Sequence, residues 1–467
     1  MLNAILGGRG AWALLALCSM LSWAAPGLGA AAPDSFVPEA ASVSNRRLSP
    51  REVLALAQFF GENGEDDKAE RIYEMLKADP HEEIRLEARF QLAQMYLRQG
   101  KVRQAIRLFR EILTLNPNLT RVRLELARAY FLDKNYKDAA FQFELVKGGD
   151  LPPEVTANVD SFLNAIRRQK NWTVDFALSP VSDSNINQAS GGREECIDTA
   201  FGRLCRPLEE KSSGVGATAN ASVDYFWRFH QNWGLRGTAD IYAAAYEQKE
   251  YNDCIVHAGF GPRYLWDSGE ASLQATFLKR WVGDREYVDE YGLRFDARQV
   301  CGRFLIDIGA AVSFPRYADD YVHDILKGVS WNAYIQNRYI VSDRTVIQVG
   351  ANFAREKARM AAYANDNWRW SLGVYHIFPY GLSLFAEGSL TDTAYQDSQW
   401  FVTRDNRFST AVRKDKTWQA VVSLSSTILD DYHVTPVVRY VYTKRTSNIW
   451  TREYERSRLS LLFNYQF

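Results

Sequence analysis

Residues 214–227 read Gly-Val-Gly-Ala-Thr-Ala-Asn-Ala-Ser-Val-Asp-Tyr-Phe-Trp, and their alternation decides the fold of most of the chain. Val215, Ala217, Ala219, Ala221, Val223, Tyr225 and Trp227 share one parity; Gly216, Thr218, Asn220, Ser222 and Asp224 share the other. Successive side chains of a strand point to opposite faces, so this stretch has one apolar and one polar face. The pattern recurs. Leu235, Gly237, Ala239, Ile241 and Ala243 alternate with Arg236, Thr238, Asp240 and Tyr242. Val256, Ala258, Phe260, Tyr264 and Trp266 oppose His257, Gly259 and Arg263. At the end, Leu459, Leu461, Phe463, Tyr465 and Phe467 oppose Arg458, Ser460, Asn464 and Gln466.

A soluble sandwich shows the same parity, so the aromatic residues separate the two cases. Trp227, Trp233, Trp266, Trp331, Trp368 and Trp418 fall at or near strand termini. Amphipathic rings at that height form the girdle of an outer-membrane barrel. Turn signals divide the region into spans 171–180, 214–227, 232–246, 253–266, 270–282, 288–300, 303–315, 327–340, 345–356, 367–378, 380–392, 415–428, 432–445 and 454–467. Residues 171–467 are therefore expected to form a 14-stranded antiparallel transmembrane β-barrel, an even number as in bacterial barrels.

Short turns such as Asp267-Ser268-Gly269-Glu270 and Ser342-Asp343-Arg344 alternate with longer connections, of which 181–213 and 393–414 are the longest. The short turns should be periplasmic and the long loops external. Cys196 and Cys205 share the first long loop, and a disulfide is expected between them. Cys254 and Cys301 fall at opposite ends of the barrel, about 25 Å apart, and should not pair.

An export signal makes that disulfide admissible. Residues 1–32 carry Arg9, then an apolar stretch from Ala11 to Ala25, then small residues ending in Ala30-Ala31-Ala32. Leu17 is too large for lipoprotein processing at Cys18. Residues 33–49 read as a flexible lead-in.

The chain changes character near residue 170. Of 13 Trp, two (Trp12 and Trp23) lie in the signal and the other eleven lie between Trp172 and Trp450. Before the break the period is helical, and the sequence repeats. Ala57, Phe60, Ala69 and Tyr73 recur as Ala93, Tyr96, Ala105 and Phe109, then as Ala127, Tyr130, Ala139 and Phe143. This is similar to the tetratricopeptide repeat: small residues let paired helices approach, and rings fill the gaps between repeats. Gly100 and Asn135 fall at the turns between paired helices. An all-α repeat solenoid is expected over 50–170, with a capping helix at about 155–169. Its concave face would take a peptide or protein.

Polar residues on the inward parity include Asp224, Arg236, Asp240, His257, Arg263, Arg280, Glu387 and Arg439. Both signs are present, so a self-paired interior and a polar conduit both fit. The six His show no metal-ligand spacing, and no nucleophile elbow, phosphate loop or Cys-x-x-Cys is found. No catalysis and no cofactor are expected. Lys+Arg and Asp+Glu are equal at 56, so charge gives no reason to expect nucleic acid.

The barrel begins Trp172-Thr173-Val174-Asp175-Phe176, then Ser179-Pro180, then Asp183-Ser184-Asn185-Ile186-Asn187. With the preceding repeats and the aromatic final strand, this resembles the surface lipoprotein assembly modulators (Slam). The motif itself fits either an Asx-rich external turn or a direct contact to substrate. The resemblance implies an outer-membrane translocon with the repeats in the periplasm. Its cargo would be surface lipoproteins or related secreted haem- or iron-binding proteins. The implied partners are outer-membrane lipid and a periplasmic chaperone or the barrel-assembly machinery. The alternatives are a repeat-bearing polysaccharide exporter, disfavoured by three repeats and a mixed-sign interior, and a porin-like channel.

Overall fold

The structure, a computed structural model, describes residues 48–149, 151–169, 171–200, 202–429 and 434–466. The expected signal (1–32), nearly all of the lead-in (33–49) and Phe467 lie outside the described residues. From Pro50 onward, helices and barrel form one compact unit.

Seven helices come first: α1 (Pro50–Glu62), α2 (Asp66–Leu76), α3 (Glu82–Arg98), α4 (Val102–Leu115), α5 (Thr120–Leu132), α6 (Tyr136–Val146) and α7 (Pro153–Gln169). They pack as three helix pairs and a capping helix. Ala57, Ala69, Tyr73, Ala93, Tyr96, Ala105, Phe109, Ala127, Ala139 and Phe143 are buried, with Phe60 and Tyr130 partly buried against them. Burial pushes the Tyr73 phenol up to about 12, so it stays neutral in this core. Gly64, Gly100 and Lys134 take left-handed conformations at the same point of each repeat, with φ of 76°, 74° and 62°. In the third repeat the left-handed residue is thus Lys134. The neighbouring Asn135 caps α6, its side chain accepting the Asp138 N–H at 3.3 Å. None of the described helices is long and apolar enough to cross a membrane.

The barrel strands are β1 (Trp172–Asp183), β4 (Gly214–Arg228), β5 (Trp233–Tyr246), β6 (Asp253–Trp266), β7 (Gly269–Val282), β8 (Arg285–Cys301) and β9 (Phe304–Tyr317). They continue as β10 (Ser330–Ser342), β11 (Thr345–Glu356), β12 (Asn365–Ile377), β13 (Leu382–Val402), β14 (Phe408–Ser426), β15 (Val434–Ser447) and β16 (Tyr454–Gln466). Each pairs antiparallel with its neighbours, and β1 pairs with both β4 and β16, which closes the barrel. Phe176, for example, lies opposite Ala221 on one side and Tyr465 on the other. Closure leaves no unpaired edge, the condition for backbone to cross a bilayer as strands. β2 (Glu194–Thr199) and β3 (Gly202–Pro207) form a separate hairpin within the β1–β4 connection.

The outward parity is apolar and exposed, as a lipid-facing wall requires: Val215, Val223, Ile241, Phe260, Leu273 and Leu293 all lie there. Trp227, Trp233, Tyr264 and Trp266 form one aromatic belt; the Trp233 and Tyr264 ring centroids are 4.7 Å apart. Trp331, Phe353, Trp368 and Trp370 form the other, at the opposite end. Trp418 lies across from Leu390, which lies across from Trp370, so it joins that second belt.

Three expected boundaries are corrected. β1 continues past residue 180 to Asp183, so the long connection starts at 184. Residues 393–414 are not a loop: β13 and β14 run through them, with the ladder irregular between Ala394 and Ser398 and a turn at 403–407. Beyond the bilayer both faces of a hairpin can be polar, so alternation fades while ladder hydrogen bonds continue. Finally, a short helix, α8 (Asp320–Leu326), occupies the β9–β10 connection, and β10 starts at Ser330 rather than 327. Asp319 caps α8 by accepting the Val322 N–H at 2.9 Å.

Candidate functional site

The lumen is lined by charges that pair across strands. Arg236 donates to Asp224 at 2.6 Å and to the Ser272 hydroxyl at 3.2 Å. Arg280 grips Asp253 with two bonds of 2.9 Å. His257 lies 3.2 Å from Asp240, and Arg263 bonds Glu270. Glu387 accepts from Gln348 at 3.1 Å and Arg369 at 3.3 Å, while Arg439 donates to the Ser423 hydroxyl at 3.1 Å. All eight residues expected in the lumen therefore sit there, in separate cross-strand pairs rather than one cluster. Three further groups were missed from sequence. Asp307 takes Arg298 at 2.5 Å and Arg338 at 3.1 Å. Arg413 pairs with the buried Asp415. Arg294 and the Tyr334 hydroxyl both reach Asp296. The inward parity of β8, β9, β10 and β14 carried that signal. Most of these charges meet an opposite one, while Arg439 meets a hydroxyl and lies near Arg458, so the wall carries both signs.

At the far end, away from the helices, the Asp183–Asn187 motif is a clasp. The Asp183 carboxylate is 2% exposed as a residue and takes Arg456 of β16 through both oxygens, at 2.5 to 3.0 Å. It also accepts the Asn185 N–H at 3.1 Å, an Asx turn. Ser184 exchanges bonds with Ser457: its N–H donates to the Ser457 carbonyl and its hydroxyl accepts the Ser457 N–H. Asn185 is fully buried, donating to the Ala189 and Glu455 carbonyls at 3.0 Å. Ile186 is buried too, and Asn187 fastens the returning segment through Glu210 and Ser212. Of the two sequence readings, the turn is the one this geometry fits; these side chains are occupied in joining the first strand to the last.

The same connection carries the Cys196–Cys205 disulfide, which links β2 to β3. This hairpin leans on the extended β13–β14 turn: the Asp198 N–H donates to the Asn406 carbonyl at 3.0 Å, and Glu195 accepts from the Val402 N–H at 3.4 Å. Cys254 and Cys301 are unpaired thiols at opposite ends of the wall.

At the near end the helices cover the barrel. Each of its six connections meets them. Arg228, at the β4–β5 turn, donates to the Arg167 carbonyl at 3.1 Å. Arg168 pairs with Asp267 at 3.1 Å in the β6–β7 turn. Arg303, in the β8–β9 turn, donates to the Gly149 carbonyl at 3.3 Å. Arg123, nearly fully buried, faces Asp343 at 3.8 Å in the β10–β11 turn; burial pulls its guanidinium pKa down and Asp343 opposes this. The Tyr380 N–H, in the β12–β13 turn, donates to the Thr114 carbonyl at 2.9 Å. Arg110 donates to the Thr427 carbonyl at 3.2 Å, after β14.

One helix goes further. Phe141, Glu144 and Leu145 of α6 stand among the inward-facing Leu305, Arg338, Ile340, Val346, Gln348, Tyr375 and Phe385. The Phe141 and Tyr375 rings meet edge to face at 5.8 Å. Burial pushes the Glu144 carboxyl above its usual range, against the pull of Arg338, Arg298 and Arg167. Lys137 reaches Asp175, on the inward parity of β1, at 2.6 Å. Sequence reading missed this surface. Its trace is a second stripe on α6, Phe141 and Leu145 four apart, beside the Ala139–Phe143 stripe that fills the repeat core.

Residues 172–467 match the family model described as surface lipoprotein assembly modifier. Residues 71–143 match the model for that family's N-terminal TPR repeats. The surface lipoprotein assembly modifier of Pasteurella multocida (strain Pm70) is 24% identical over 386 residues, covering 79% of this chain and 74% of its own. The hemophilin secretion modulator of Acinetobacter baumannii is 20% identical over 409 residues, covering 79% and 76%. Among solved structures, the outer membrane channel DcaP of Acinetobacter baumannii aligns over 63% of this chain and 97% of its own, at 12% identity and a TM-score of 0.37.

Proposed function

The chain belongs to the surface lipoprotein assembly modifier family, and from that premise we propose that it moves a protein cargo from the periplasm to the cell surface. The cargo is a surface lipoprotein or a related secreted haem-binding protein, as the name of the Acinetobacter relative suggests for that relative. The helical stack lies on the periplasmic side, receives the cargo, and hands it to the barrel. A non-catalytic role, without cofactor, belongs to the same reading, and a periplasmic chaperone or the barrel-assembly machinery is a natural partner for the helices.

The observation that carries this reading is the helical stack seated on every near-end turn of the barrel, with α6 in the mouth. A repeat array of this kind binds peptide or protein segments, and here it stands at the near mouth of the barrel. Charge pairing within the lumen speaks against export of an acidic or basic polysaccharide, which would need a wall biased to one sign.

The test is surface display. The full chain is expressed with a candidate lipoprotein in a Gram-negative host lacking both, and protease accessibility of the lipoprotein is measured on intact cells. Accessibility that depends on the chain is the expected result. Equal accessibility with and without the chain, with the barrel verified in the outer membrane, would sink the reading for that cargo.

A further inference from the structure

α6 meets the barrel differently from the other helices. α4 and α7 touch turns at the rim, through single bonds to backbone carbonyls or one exposed ion pair, and α5 sets the buried Arg123 against Asp343 of the β10–β11 turn. α6 instead places an aromatic ring, a carboxylate and Leu145 inside the ring of inward-facing side chains. The space left between them is a pocket of about 210 Å³, the size of a few side chains. Arg338 and Arg298 of the wall and Arg167 of α7 act on the Glu144 carboxylate, with Asp307 opposing them. Gly148, just past α6, sits so close to β10 that a Cβ there would meet Ile340 Cγ2 at 2.5 Å and the Ser342 backbone at 2.7 Å. The fit is therefore tight at Gly148, electrostatic at Glu144 and apolar at Phe141.

The repeat core, by contrast, does not depend on these contacts. Ala139 and Phe143 pack against Ala127, Val159 and Leu163 on the other face of α6. Those core contacts would therefore survive a withdrawal of the third repeat from the mouth. Its barrel-facing surface would exchange lumen contacts for water, and Arg123 and Glu144, buried in the seated state, would be rehydrated.

We propose that α6 is a removable plug: the barrel rests closed at its near mouth, and passage requires α6 to withdraw with the third repeat. The proposal rests on the translocation reading for its purpose but not for its conductance test. Cargo bound by the helices then shifts a two-state equilibrium between a seated and a withdrawn stack, as any ligand with differential affinity does.

Conductance of the purified full chain in planar bilayers decides it. The wild-type chain should be mostly closed. Gly148→Val wedges the seat and Glu144→Lys sets like charge against Arg298 and Arg338; each should raise mean conductance by roughly tenfold or more. Heat-modifiable migration on gels verifies that both barrels are folded. In a Cys254→Ser, Cys301→Ser background, Lys137→Cys with Asp175→Cys, joined by a short bismaleimide, should hold the channel closed and abolish cargo display. A wild-type conductance equal to that of both variants would overturn the plug, as would a cross-linked chain that displays cargo as well as the unlinked one. Should the unlinked chain display no cargo at all, the translocation reading fails, while the conductance comparison still decides the plug.

Discussion

Asp183 carries more of the far rim than its place in a polar, turn-like run suggests. It lies in β1, yet its partner Arg456 belongs to β16, and these are the two barrel strands that no hairpin connects. The carboxylate is buried and bonded through both oxygens. Truncating one member of such a pair leaves the other charge desolvated, so Asp183→Ala should destabilise the barrel by about 3–5 kcal/mol. Asp183→Leu combined with Arg456→Met should recover most of that loss. Urea unfolding followed by gel migration measures both; a single substitution that costs nothing would remove the clasp from the account. The run was legible in the sequence, but its role was not. Whether Asn185 faces water or is buried depends on Glu455, which approaches it only once the barrel closes.

At the scale of elements, the sequence period is a good guide within the bilayer and a poor one beyond it. β4 and β5 follow their alternation residue for residue. β13 and β14 outrun theirs, because strands that rise into water no longer need an apolar face. The β2–β3 hairpin packs on that extension, and its disulfide orders a local element rather than the wall. Replacing Cys196→Ser with Cys205→Ser should leave barrel unfolding unchanged. Trypsin cleavage after Arg203 should quicken by roughly tenfold, since a short covalent loop suppresses local opening. Equal cleavage rates would mean that the Asn406 and Val402 contacts alone hold the hairpin.

For the whole molecule, the decisive feature is that the helical stack and the barrel share an interface at every near-end turn. Within it Arg123 is nearly fully buried, bonded to Gln142 and the Pro117 carbonyl, with Asp343 of the barrel as counter-charge. Asp343→Ala should weaken docking by about 1–3 kcal/mol, the range for leaving a buried charged group short of a partner. Hydrogen exchange in α5 and α6 should rise while exchange in the strands stays unchanged; a rise in both, or in neither, would contradict that interface.

Periodicity is a local property, read from residues two, three or four apart, and it determined what the chain is made of. Three helical repeats, an alternating wall of fourteen strands, an aromatic girdle and an inward row of charges were all legible in the sequence. Pairing is not local. Which carboxylate meets which arginine, that Asp183 reaches Arg456, and that Phe141 and Glu144 stand in the barrel mouth all follow from closure and docking, which join residues far apart in the chain. A helix stripe states that a surface will be covered; only the tertiary structure decides by what, because the covering residues lie in another element whose position is set by the register of every strand before it.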